Sequence, residues 1–154
     1  MLKFLLLSVL AVAMIGLMIP SAFASSDVNH SITITEYGDY QSQYSKKWFD
    51  ETLKDDFKTF MEEYEVTYIF KNYTIIGEDS IIAAHATHCA KEQGKFWQYH
   101  DILFNNWAGE NTGWISQQTL EKFAIEIGLN VDEFKKCNEL ASTSEGKIIT
   151  TEKI

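Results

Sequence analysis

Two serines at i and i+3, Ser42 and Ser45, stand where a strand pattern gives way to a helix pattern, in the order Ser42-Gln43-Tyr44-Ser45. The first amides of a helix lack intrahelical partners and its dipole favours negative charge there. A thiol at such a place ionises easily and becomes a redox nucleophile. A hydroxyl hardly ionises at neutral pH and has no comparable redox couple, so thiol–disulfide exchange is closed to these positions. Serine nucleophile chemistry would call for a Gly-x-Ser-x-Gly elbow, which the chain lacks, and no histidine follows in a recognisable pattern. The residue types instead fit a cap, with Ser42 or Asp39 accepting from the helix amides. His85, His88 and Cys89 fall on one helical stretch and His100 follows; i, i+4 spacing can chelate zinc. No second pair completes the set and the flanks are alanine and isoleucine, so structural histidines are expected, with no metal and no cofactor.

The elements around these residues follow from periodicity. Ile32, Ile34 and Tyr37 against Thr33, Thr35 and Glu36 read as a strand stopped by Gly38-Asp39. A helix is expected from about Ser42 to Tyr64, with Trp48, Phe49, Leu53, Phe57, Phe60, Met61 and Tyr64 on its apolar face. Val66–Tyr73 alternates as a second strand, which makes a right-handed βαβ unit with parallel strands. Ser80 is the expected cap of a helix ending at Gly94; further helices are expected over 95–105, from Ser116 to Ile127, and over 131–140.

The run EYGDYQSQYSKKWFDETL resembles the active-site segment of exported DsbA-like thiol–disulfide oxidoreductases, in which a strand leads into F-x-D-F/Y-x-C-x-x-C and a helix with aromatic residues. Glu36, Asp39, Tyr40, Trp48, Glu51 and Leu53 stand at matching places, while Ser42 and Ser45 replace both cysteines. AHATHCAKEQGKFWQYHDILF, Ala84–Phe104, is similar to the family's inserted helical region. The resemblance covers about Ile32–Leu140. It implies an α/β fold, a thioredoxin-like βαβ core with a helical insertion at about 79–140. It implies a groove around Gln43, Tyr44 and Trp48 able to touch an extended peptide, and no catalytic residue at Ser42 or Ser45. The family's closing module, Gly-x-Thr-Pro-x-Phe with a cis proline and a strand pair, has no counterpart here, since the one proline is Pro20. The expectation is therefore a C-terminally truncated core in which a two-strand sheet leaves one edge of Ile32–Tyr37 bare, open to an extended peptide, a partner protein or self-association.

Lys3, the apolar run Phe4–Ile19, Pro20 and Ala22-Phe23-Ala24 read as a signal peptide over 1–24, leaving 25–154 as an exported domain. An uncleaved anchor is the alternative, and the sole route to a membrane. In an exported chain the even cysteine count suggests a Cys89–Cys137 disulfide; two buried thiols are the other reading. The family's similar cysteine placement implies the pairing. Every basic residue is lysine and the net charge is −9, which argues against general nucleic-acid binding. Asn29-His30-Ser31 and Asn72-Tyr73-Thr74 match glycosylation sequons. Two functions follow: a DsbA-like protein without its redox centre, or a non-catalytic module that binds a peptide or partner through a strand edge.

Overall fold

The computed structural model describes residues 32–53, 56–143 and 151–153. The signal segment over 1–24 and the sequon at Asn29 lie outside the described residues. Strand β1, Thr33–Gly38, pairs in parallel with β2, Thr67–Asn72, in the register Ile34↔Tyr68 and Glu36↔Phe70. The segment between them is helical, as a parallel crossover requires. Tyr68, Phe70 and Asn72 of β2 are buried and alternate with half-buried Thr67, Ile69 and Lys71.

Four expectations are corrected. Glu36, placed on the polar face of the first strand, lies on the inner side with Ile34 and Gly38, and Tyr37 points outward at 63 % exposure. The two-residue period of a strand dictates this, because Ile34 and Tyr37 differ in parity. The sheet has three strands rather than two: β3, Thr151–Lys153, pairs antiparallel with β2 on the side away from β1. The first helix is interrupted. Helix α1, Gln43–Trp48, passes into a π-helical turn at Phe49–Leu53, and α2 is Asp56–Glu63. The wider turn lets Phe49 and Leu53 both reach the core. Finally, Ser80 caps nothing. Helix α3, Glu78–Glu92, starts after Gly77, and Ser80 is buried in its first turn, where it meets Gln41.

Helix α4 is Phe96–Asn105, α5 is Gln117–Glu126 and α6 is Val131–Thr143, three residues longer than periodicity suggested. The Ser116 hydroxyl caps α5 by accepting from the Thr119 amide at 3.2 Å. Gly94 and Gly128, with φ of 70° and 72°, end α3 and α5 in the left-handed conformation that glycine adopts without strain. Lys95 Nζ donates to the Ile127 and Gly128 carbonyls at 2.7 and 2.9 Å, placing a cation at the negative end of α5.

One aromatic core joins sheet and helices. The His100 ring, 1 % exposed, lies within 4.8–6.0 Å of the rings of Tyr40, Phe49, Phe70, Phe96, Trp97 and Phe104. His100 is thus a core residue, and its Nδ1 lies 3.1 Å from Asp101 Oδ1. Burial, and then the nearby His88, hold the His85 imidazole below its usual pKa. Among the described residues no group of three His, Cys, Asp or Glu side chains converges. Asn72 is buried and its amide donates to Thr87 Oγ1 at 3.5 Å, so its sequon is closed to a glycan in the folded chain. No helix among the described residues is long and apolar enough to cross a membrane.

Cys89 and Cys137 form a disulfide that joins α3 to α6, with Cα atoms 5.8 Å apart and a sequence separation of 48. Cys89 is 1 % exposed. Closing a loop of that length restricts the unfolded chain by roughly 4 kcal/mol. The Cys89→Ser/Cys137→Ser protein is expected to lose about 2–5 kcal/mol of stability, read as a lower urea midpoint. Dithiothreitol should lower the native protein's midpoint and leave the variant's unchanged.

Candidate functional site

The turn between β1 and α1 starts at Gly38, where a Cβ would clash with the Phe70 ring and lie 2.9 Å from Glu36 Oε1. Only glycine lets the strand approach Phe70 so closely. Asp39 follows, 4 % exposed. Its Oδ1 accepts from the Gln41 amide at 2.9 Å, and its Oδ2 accepts from the Ile75 and Ile76 amides at 3.0 and 3.2 Å. One carboxylate therefore ties the turn to the loop after β2. The Asp39 carbonyl accepts from the Ser42 amide at 2.9 Å and closes the turn.

Both serine hydroxyls serve the backbone. Ser42 Oγ accepts from the Tyr44 and Ser45 amides at 3.2 and 3.4 Å, the N-cap arrangement. Ser45 Oγ accepts from the Asp39 amide at 3.2 Å. Each oxygen thus stabilises the turn, and neither can form a disulfide.

A second set of contacts comes from the loop after α4. Gln41 is wholly buried. Its Oε1 accepts from the Asn111 amide at 2.6 Å, its Nε2 donates to Ser80 Oγ at 3.3 Å and to Asn111 Oδ1 at 3.5 Å, and its carbonyl accepts from Trp107 Nε1 at 3.0 Å. Glu110 Oε1 accepts from the Gln43 amide at 3.0 Å. A Cβ at Gly77 would lie 2.6 Å from Asn111 Oδ1, so that contact needs glycine.

Gln43 is exposed and Tyr44 is 75 % exposed, so both share the turn's surface with Ser42. Tyr37, Tyr73 and Ile75, at 63, 51 and 65 % exposure, come from the end of β1 and the loop after β2, which Asp39 ties together. Trp48 is turned the other way. Its Nε1 donates to Tyr68 Oη at 3.2 Å and its ring meets Phe57 edge-on at 6.1 Å. The structure thus gathers Ser42, Gln43 and Tyr44 and sets Trp48, 37 % exposed, against the sheet.

Beneath the turn lies Glu36, which the sequence pattern matches to the family's segment but sets on the polar face and gives no role. Glu36 Oε2 accepts from Tyr68 Oη, which in turn accepts from Trp48. Burial pushes the Glu36 carboxyl up to about 7, and the Tyr68 hydrogen bond offsets part of that. Burial first, then the neighbouring Glu36 charge, raises the Tyr68 hydroxyl as well. Counting strand parity from Ile34 would have placed Glu36 inside.

A thioredoxin family profile matches residues 27–153. The chain belongs to the thioredoxin family. Solved structures with this thioredoxin fold include a thioredoxin-like oxidoreductase from Silicibacter pomeroyi DSS-3, 20 % identical with a TM-score of 0.55, covering 79 % of this chain and 73 % of that one. The thiol-disulfide exchange protein alpha-DsbA2 from Wolbachia pipientis is 15 % identical, with a TM-score of 0.57 and coverage of 80 % and 71 %. BdbD from Bacillus subtilis in its oxidised form is 21 % identical, with a TM-score of 0.52 and coverage of 79 % and 75 %. Comparison with curated proteins gives no match. In this thioredoxin-family chain the turn carries a serine cap where the resemblance places the paired cysteines.

Two outcomes test this geometry. Ser42→Ala removes the cap and should cost about 1 kcal/mol in urea unfolding. Glu36 holds its proton more tightly folded than unfolded, so the native state binds more protons between its ordinary value of 4.5 and about 7. Its contribution to stability is full below about 4.5 and is lost as pH rises through about 7. The loss is about 3 kcal/mol at most. Glu36→Gln should flatten this dependence and raise the midpoint at pH 7.5; an unchanged pH profile in the variant would refute the assignment.

Proposed function

We propose that this chain is an exported DsbA-like member of the thiol–disulfide oxidoreductase family that performs no thiol–disulfide exchange at positions 42–45. The observation that carries the reading is that Ser42 Oγ and Ser45 Oγ accept backbone amides in the turn where exchange would need a thiolate. The remaining sulfurs of the cysteine type join α3 to α6, with Cys89 buried, which suits a staple rather than a shuttling pair. Export is supported by Lys3, the apolar run Phe4–Ile19 and the Ala22-Phe23-Ala24 site. The solved relative from Wolbachia pipientis, named as a thiol-disulfide exchange protein, has a similar fold. What this chain keeps of that class is the frame and the exposed residues around the turn.

A second reading is favoured by the position of β1 at the end of the sheet order β1-β2-β3. The chain would bind an extended peptide or partner protein by strand addition, where main-chain hydrogen bonds give affinity and side-chain pockets give specificity. Exposed Tyr37, near the C-terminal end of β1, supplies apolar contact on that strand.

In insulin reduction the native protein is expected to give the uncatalysed rate. Ser42→Cys/Ser45→Cys should form a second disulfide, seen as loss of two titratable thiols on oxidation. Native activity that disappears in Cys89→Ser would overturn the first reading.

A further inference from the structure

Strand β1 has one used and one open edge among the described residues. Thr67 N donates to the Ile32 carbonyl at 2.8 Å, and Tyr73 N donates to the Gly38 carbonyl at 2.8 Å. In a parallel ladder these contacts recur every second residue, so Ile32, Ile34, Glu36 and Gly38 spend their backbone groups on β2. The backbone groups of Thr33, Thr35 and Tyr37 face the open side.

The inner face of β1 is incompletely covered. Ile34 and Glu36 are only partly buried. Tyr68, paired with Ile34, touches Trp48 through its hydroxyl and Phe57 at 6.0 Å. The ring row continues from Phe57 to Phe60 at 5.8 Å and to Tyr64 at 4.9 Å from Phe60. Trp48, Phe60 and Tyr64 remain 37, 38 and 52 % exposed. An added strand would set alternate side chains on the same face as Ile34 and Glu36, and its residue beside Glu36 would come within about 4.5–5.5 Å, Cβ to Cβ.

Charge then selects among strands. A strand laid on the open edge completes the burial of the Glu36 carboxyl, which is costly unless the charge is paired. Tyr68 supplies a hydrogen bond but no positive charge. Residues 32–71 carry nine acidic side chains and five lysines, an excess of negative charge that also favours a basic partner. We propose that the open edge of β1 takes an extended strand of a partner protein, with alternating apolar side chains and a lysine or arginine opposite Glu36. This rests on the strand-addition reading and names the chemistry of its partner.

The probe is an end-capped eight-residue peptide alternating threonine and valine, with lysine in place of one central valine; its control carries glutamate there. Amide hydrogen exchange and titration are measured on the full protein at pH 7.5. The lysine peptide should slow exchange at Thr33, Thr35 and Tyr37 and bind at least about fivefold more tightly than the glutamate peptide. Glu36→Gln should bring that ratio to about one and keep the protection. Equal binding of both peptides by the native protein would overturn the cation inference and leave strand addition standing. No protection by either would overturn both. Protection of the same amides that rises with protein concentration, without peptide, would give the edge to a second copy and overturn the proposal.

Discussion

The carboxylate of Asp39 sits among backbone amides rather than in water, and it accepts from Gln41, Ile75 and Ile76 at once. A buried amide left without an acceptor costs about 1–3 kcal/mol. A buried carboxylate is tolerable only where such donors surround it. Each side of this contact therefore requires the other. Together they fix the exit of β1 against the loop after β2, and so fix where α1 begins. The placing of Ser42 and Tyr44 follows from that start point. The exposed Tyr37, Tyr73 and Ile75 gather near the turn for the same reason, since the amides on either side of the contact belong to their loops.

The helical insertion is held to the turn by side chains distant in sequence. Gln41 reaches Ser80 in α3 and Asn111 beyond α4, and Trp107 donates back to the Gln41 carbonyl. His100 performs the apolar counterpart, with Tyr40 from the turn, Phe70 from β2 and Phe104 from its own helix around one ring. Both links are buried, so neither layer can shift without exposing polar atoms or opening a void. The disulfide acts further out, on α3 and α6. The turn is thus braced by buried hydrogen bonds, by rings beneath it, and at a distance by a covalent link.

Features that depend on neighbours within a few residues could be read directly from the sequence. Ser42 and Ser116 precede helices with free amides and cap them, and Gly94 and Gly128 end helices for the steric reason that glycine usually does. The parallel pairing of β1 and β2 follows from a helical crossover of about the right length. Features set by contacts across the fold were not readable. Ser80 resembles a cap by type, but Gln41, 39 residues earlier, claims its hydroxyl. The π-helical turn at Phe49–Leu53 arises because both side chains are drawn to the core, which no local pattern encodes. β3 is three residues long and pairs with Ile69–Lys71 from the far end of the chain. Glu36 is a different case, because correct strand parity would have turned it inward.

Oxygen in place of sulfur at positions 42 and 45 has a definite physical effect. A hydroxyl oxygen accepts hydrogen bonds well and a thiol sulfur weakly. The amides of Tyr44, Ser45 and Asp39 are therefore better satisfied in this chain than cysteines would leave them. Reactive sites are usually locally unfavourable. By that measure the turn is a satisfied site and Glu36 is not. It is a carboxyl turned into the fold, held by one tyrosine, with no ion-pair partner among the described residues, and its ordinary ionisation is suppressed by burial. Places where a sequence breaks its own local rules are where function is expected. In this chain that place is the inner face of β1, next to one of the two outer strand edges that the described residues leave open.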